Sequence, residues 1–252
     1  MRIQPKSTEG RRGSRRQPEA SRNAILRAAL AEFAQEGLAG ARVDAIAEAA
    51  GVNKALLYYY FRDKETLYGA TLENFFAPLH QRVMEVCDRP GTAGERFLNY
   101  AREHFDSIAA SPHHGRIFMG ELMSFSRGGK TYMDRILSNY MLPIGMRVLA
   151  LLQEGVDSGE FRPVDPAQFV PTAIGSIVHY FLTAPLRQRF LKLMPMPEPS
   201  IEDRRAAVLD FIAAALFSDR AAGIKLAARI SAAPPSRQPL KPALSRTKGK
   251  RK

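Results

Sequence analysis

The chain has 252 residues, 45% apolar and 25% charged, enough for one or two compact units with sizeable cores. Its single cysteine, Cys87, excludes an internal disulfide and any zinc cluster built on thiolates, and suits a reducing cytoplasm, the expected location. The net charge of +12 sits at the ends: residues 1–16 hold six Lys/Arg against Glu9 and residues 218–252 hold ten against Asp219, leaving 17–217 at −2.

Residues 1–18 contain no apolar core of the kind a secretory signal needs, and read as a disordered basic arm. From there the pattern is helical. Ile25, Leu26, Ala29, Leu30 and Phe33 recur at helical spacing, and Gly37 supplies a left-handed stop. Val43, Ile46, Ala47 and Ala50 form a short second stripe ending at Gly51. Asn53 is placed to cap a third short helix carrying Leu56, Leu57, Tyr60 and Phe61. Asp63 is placed to cap a long fourth through Leu67, Leu72, Phe76 and Val83, which Pro78 is expected to bend.

Further helix starts are marked at Thr92–Glu95 and Ser200–Asp203, both of capping-box form, and at Ser111-Pro112 and Asp165-Pro166. No run alternates with period two, so the fold class is all-α, with about nine helices. Pro166 to Leu186 is uncharged over 21 residues. Gln168, Pro171, Thr172, Ser176, His179, Thr183 and Pro185 dilute it, so it reads as a helix buried on most sides, within the protein or a dimer, and no membrane partner is expected. The proline-punctuated, basic segment 219–252 reads as a second disordered tail.

Val43 to Phe61 carries the functional signal. Two short helices joined by a Gly-containing turn fit a helix-turn-helix, with Ala47, Gly51, Val52 and Leu57 at packing positions. A generic pair of antiparallel helices shows similar spacing. Ile25 to Gly37, followed by Val43 to Tyr68 with its Leu57-Tyr-Tyr-Tyr-Phe and Lys64-Glu-Thr-Leu runs, resembles the DNA-binding domain of TetR/AcrR-family transcriptional regulators. That resemblance implies a homodimer with a helical ligand-binding domain, responsive to a small molecule. It divides the chain into a DNA-binding domain over 19–66 and a ligand-binding and dimerisation domain over 67–218.

Carried over by position, Lys54, Ala55 and Tyr59 fall where the family reads bases, and Tyr58 and Lys64 where it holds phosphates. Their chemistry agrees: lysine donates to guanine, alanine touches a thymine methyl, and hydroxyls and ammoniums suit the backbone. Asn53 opens the same surface. Which of Tyr58 and Tyr59 points outward stays open, while Tyr60 and Phe61 read as core. Arg42 stands where the family usually has a capping Ser or Thr, so a phosphate contact replaces the cap as its expected role.

Behind the motif, Phe105, Phe118, Glu121, Met123, Tyr140, His179 and Tyr180 are the candidate ligand-binding residues: an aromatic and apolar wall with a few polar groups to orient the effector. His104 is a further polar candidate. The stretches around Phe118–Met123 and Pro163–Tyr180 more loosely resemble the pyrimidine-responsive RutR branch of the family. The segments 166–186 and 206–217 are the expected dimer helices. The expected partners are therefore double-stranded DNA, an apolar or aromatic effector and a second copy. The rival is an architectural DNA-binding protein driven by its basic tails. No nucleophile–base pair, phosphate loop or metal-ligand spacing is present in the sequence, so neither an enzyme nor a cofactor is expected.

Overall fold

The computed structural model of the chain describes residues 10–110, 112–128, 132–193, 197 and 199–234. Among them are eleven helices and no strand; one isolated antiparallel bridge joins Phe161 to Phe217. The chain forms two units, one ending at Asn74 and one starting at Phe75.

The first unit holds α1 (Gly10–Gly40), α2 (Val43–Ala50), α3 (Lys54–Tyr60) and the start of α4 (Lys64–Cys87). Gly37 breaks α1 with φ of 69°, the expected left-handed stop. Ile25, Leu26, Ala29 and Phe33 are buried with Ile46, Ala47, Leu57, Leu67 and Leu72. Phe33 meets the Tyr68 ring edge-on at 4.8 Å, and the Arg22 guanidinium lies 5.5 Å from the Phe61 ring centre. These contacts hold α1 to the end of α3 and the start of α4 over one apolar core.

In the second unit, α5 (Ala93–Ala109) packs against α6 (Pro112–Ser126), α7 (Met133–Asp157), α8 (Pro166–Leu182), α10 (Ile201–Leu216) and α11 (Arg220–Ala232). Ten of its seventeen residues are buried, which makes it the axis of this unit. A π-helical turn at Leu137–Met141 interrupts α7. Gly155 lets α7 approach the Phe161 ring, where a Cβ would collide. Thr92 caps α5 by accepting from the Glu95 amide at 3.1 Å, but the Glu95 carboxylate turns to Arg229 and does not close a capping box. Ser200 and Asp203 do close theirs. Asp165 caps α8 through the Ala167 amide, as expected; Ser111 lies outside the described residues.

Three expectations are corrected. The first part of the tail expected over 219–252 instead forms α11, with Asp219 accepting from the Ala222 amide and Gly223, Ala227 and Ile230 buried at helical spacing, while 235–252 lie outside the described residues. Charge dominates this segment's composition, but its buried positions Gly223, Ala227, Ile230 and Ser231 dock a helix whose cations stay in water. At the other end, the expected arm is helical from Gly10 onward and runs directly into the rest of α1, while residues 1–9 lie outside the described residues. The uncharged segment is not one helix: α8 stops at Thr183, and α9 (Ala184–Leu193) follows at a 69° bend. Within α8 only Ala173, Ile177 and Tyr180 are buried, so burial is confined to one face. By length and composition, α7 and the bent pair α8–α9 are each apolar enough to cross a bilayer.

Candidate functional site

The turn between α2 and α3 is fixed by backbone chemistry. Gly51, with φ of 69°, donates its amide to the Glu48 carbonyl at 3.0 Å, and Val52 donates to Ala47 at 3.0 Å. This pairing closes α2 as a Schellman motif, which needs a left-handed residue where glycine stands. Asn53 then accepts from the Leu56 amide at 2.7 Å and starts α3. Leu57 and Phe61 face inward, and this inward pull sets the phase of the helix. Asn53, Lys54, Ala55, Tyr58 and Tyr59 are left on the outside. Tyr59 is 80% exposed and Tyr58 43%, so both tyrosines are available to a partner, while half-buried Tyr60 braces Tyr59 edge-on at 5.3 Å.

Other residues of this face have partners that the sequence does not advertise. Lys54 reaches back to α2, placing its ammonium 2.9 Å from the Asp44 carboxylate, and this hydrogen bond and charge raise its pKa. Arg42 is exposed and makes no side-chain cap; its amide donates instead to Glu32 Oε1 at 3.0 Å. Lys64, expected at a phosphate, turns inward: its ammonium donates to the carbonyls of Ala39 at 3.1 Å and Ala41 at 3.3 Å. Ala39 is in the last turn of α1 and Ala41 in the link to α2, so Lys64 braces the start of α4 against the end of α1. Hydrogen bonds from the Thr66 hydroxyl, from the Thr66 amide at 2.7 Å and from Arg62 at 3.0 Å lower the Asp63 carboxyl to about 2.

In the second unit the candidate ligand residues divide. Phe105 is fully buried and lies 5.1 Å from Phe181, ring to ring. Phe118 and Tyr140 gather around Phe76, at 5.8 and 6.1 Å. The buried Glu121 carboxylate accepts from the Tyr132 amide at 2.7 Å, tying α6 to the start of α7. Tyr180 is buried between two guanidiniums, Arg187 at 4.0 Å and Arg204 at 4.7 Å from its ring centre. Met123 and His179 do not join this interior. Both are exposed; on α8 the 100° step from inward-facing Tyr180 carries His179 out to the surface.

His104, the further polar candidate of the sequence, does lie in the interior of this unit. His104 Nε2 is buried with no hydrogen-bond partner, and burial pushes the imidazole down to about 4. One turn earlier on α5 stands Tyr100, its ring 6.2 Å away and its hydroxyl pushed up by burial. An apolar interior that keeps such groups gives a bound molecule something to hydrogen-bond. Among the described residues, no group of three His, Cys, Asp or Glu is arranged to hold a metal ion.

Residues 25–71, from mid-α1 to the first turns of α4, match the family model described as bacterial regulatory proteins, tetR family. The resemblance extends well past that segment. The HTH-type transcriptional regulator RutR of Escherichia coli K12 is 34% identical over 182 residues, covering 71% of this chain and 81% of that protein. The chain belongs to the tetR family of bacterial regulatory proteins. The HTH-type transcriptional repressor SCO4008 of Streptomyces coelicolor is 29% identical over 176 residues, 70% of this chain and 85% of that one. Two solved structures share the fold at lower identity. A gamma-butyrolactone receptor matches with a TM-score of 0.64 at 20% identity, over 85% of this chain and 98% of its own. The ketosteroid transcriptional regulator KstR2 of Mycobacterium tuberculosis matches with 0.56 at 21% identity, over 68% and 91%. The tetR-family chain is thus a DNA-binding transcriptional regulator. A purely architectural, tail-driven role is not favoured, since the matched head is a helix-turn-helix and the relatives are named as regulators and repressors.

Proposed function

We propose that the chain is a ligand-responsive, homodimeric repressor that binds a pseudo-palindromic operator in the cytoplasm. The observation that carries this reading is the outward face of α3, where Lys54, Ala55, Tyr58 and Tyr59 project from a helix locked by the Asn53 cap and buried Leu57. In this reading Lys54 reads guanine, Ala55 a thymine methyl and Tyr59 a base edge, while Tyr58, Asn53 and Arg42 approach the backbone. Lys64 acts by holding α4 to the head. Two such helices enter successive major grooves about 34–36 Å apart, and the protein's two-fold axis is mirrored in the operator.

The dimer forms through α8 and α10. Gln168, Thr172, Gly175 and His179 line the exposed stripe of α8, and Ala207 and Phe211 that of α10, with Phe211 51% exposed. Nothing stands within 4 Å of a Cβ at Gly175, which leaves room for a partner helix to come close. Pairing each stripe with its symmetry mate gives a four-helix interface. The effector lies in the second unit, with Phe105, Phe118, Tyr140 and Tyr180 as apolar wall and Tyr100 and His104 as polar handles. A gamma-butyrolactone receptor and a ketosteroid transcriptional regulator share this fold, in keeping with a small, largely apolar effector. Leu79, Val83 and Val86 of α4 belong to the second unit's core, and the same continuous helix begins at Lys64. An effector that favours one packing of that core acts through its differential affinity for the two states.

The test is Phe211→Arg, which replaces the large exposed apolar side chain of the α10 stripe with a charge. Sedimentation should show a monomer with native helical content and lost operator affinity. A dimer of unchanged stability would place the interface elsewhere.

A further inference from the structure

The head contains an ion pair that the family resemblance does not explain. Lys54 is the first residue of α3 and Asp44 sits in the first turn of α2, yet their side chains meet at 2.9 Å across the turn. Both remain more than half exposed, at 52% and 61% of the side chain. Packing therefore does not force the contact, and in water such a pair opens readily.

A lysine ammonium has three N–H donors on a flexible four-carbon stem. Left alone at the tip of α3, it would sweep across the surface and settle on any phosphate. Asp44 takes one donor and biases the ammonium toward α2, leaving two donors for a partner. It also cancels the charge that would otherwise reward contact with arbitrary duplex. A move to a phosphate exchanges one anion for another and strands the Asp44 carboxylate beside a polyanion. A base-edge contact that keeps the Asp44 bond avoids that exchange.

We infer that Asp44 is a specificity-determining residue of the DNA-binding surface, which restrains Lys54 so that it reads base edges in preference to phosphate. The upward shift of the Lys54 pKa, caused first by its hydrogen bond to Asp44, agrees with this pairing. Asp44 also lies in the first turn of α2, where a carboxylate favours the helix dipole and Arg42 supplies no cap. Its removal must therefore be read on DNA and on stability together.

The experiment rests on α3 being the reading helix and uses the full-length protein. A binding site is first selected with wild type from a random duplex library. Affinities for that site and for sonicated mixed-sequence DNA are then measured across a salt series for wild type, Asp44→Asn, Lys54→Gln and the double variant. With Asp44→Asn, mixed-sequence affinity should rise about tenfold while site affinity changes less than threefold. The salt slope on mixed DNA should steepen by about 0.9, the value for one further phosphate contact. In the Lys54→Gln background, Asp44→Asn should change the ratio of the two affinities by less than twofold. Equal strengthening on both DNAs in both backgrounds would show general repulsion and overturn the inference. So would a loss of site affinity that tracks a lowered Tm, which marks a structural role in α2. Failure of wild type to enrich any site would instead refute the underlying reading of α3.

Discussion

His104 offers a quantitative test of the second unit's interior. Its imidazole has a pKa of about 4 in the folded protein, against 6.5 when solvated, because burial disfavours the charged ring. The folded value is depressed, so between pH 6.5 and 4 the unfolded chain holds a proton that the folded chain does not. Stability then falls as pH drops through that window and is unaffected by this group above it. The linkage amounts to about 1 kcal/mol at pH 5.5 and about 3 kcal/mol once the pH has fallen past 4. His104→Leu removes the titrating group and also the unpartnered Nε2, a change expected to be neutral or stabilising at pH 7.5. Urea unfolding of both proteins from pH 7.5 to 4.5 gives the difference directly, since carboxylates shared by both cancel. The variant should gain on wild type progressively below pH 6.5. Parallel curves over the whole range would refute the buried, neutral, unpartnered imidazole, and with it the proposed polar handle.

Further expectations follow from the same geometry. Tyr59→Ala should weaken operator binding with no loss of stability, because the ring is 80% exposed, whereas Leu57→Ala should cost about 2–5 kcal/mol of stability in a urea melt. Equal stability losses in the two variants would mean that α3 is phased differently. Lys54→Ala should cost about 1–3 kcal/mol of operator affinity and relax one base position in a repeated site selection, while uniform weakening on all sequences would mark a phosphate contact. Gly155→Ala should destabilise by about 1–3 kcal/mol through collision with Phe161, measured as a lowered midpoint in thermal unfolding. Deletion of residues 235–252 should reduce affinity for mixed DNA at low salt but keep the ranking of operator variants; loss of that ranking would favour a tail-driven reader.

The head was legible in the sequence because its signals are local. Gly51 as a left-handed stop, Asn53 as a cap and Leu57 as an inward anchor each follow from a few neighbouring residues, and the structure realises all three. What was hidden depends on side chains reaching between elements. Neither the Asp44–Lys54 pair nor the turn of Lys64 toward Ala39 and Ala41 follows from any spacing rule, since both depend on how α2 and α4 are seated. Charge misled at both ends, most clearly over α11, where Gly223, Ala227 and Ile230 outweigh the surrounding cations. In the ligand region, composition proposed His179 and Met123, but helical phase decides between adjacent residues and turned both outward.

The central claim, a dimeric reader of specific DNA, is tested most directly by selecting bound sites from a random duplex library at fixed, near-physiological salt. Salt must be fixed because phosphate contacts from the basic ends can mimic affinity when it is low. The account predicts an enriched inverted repeat whose half-sites lie about 10 base pairs, or a multiple of that, apart. No enriched sequence, with binding that fades steeply as salt rises, would contradict it.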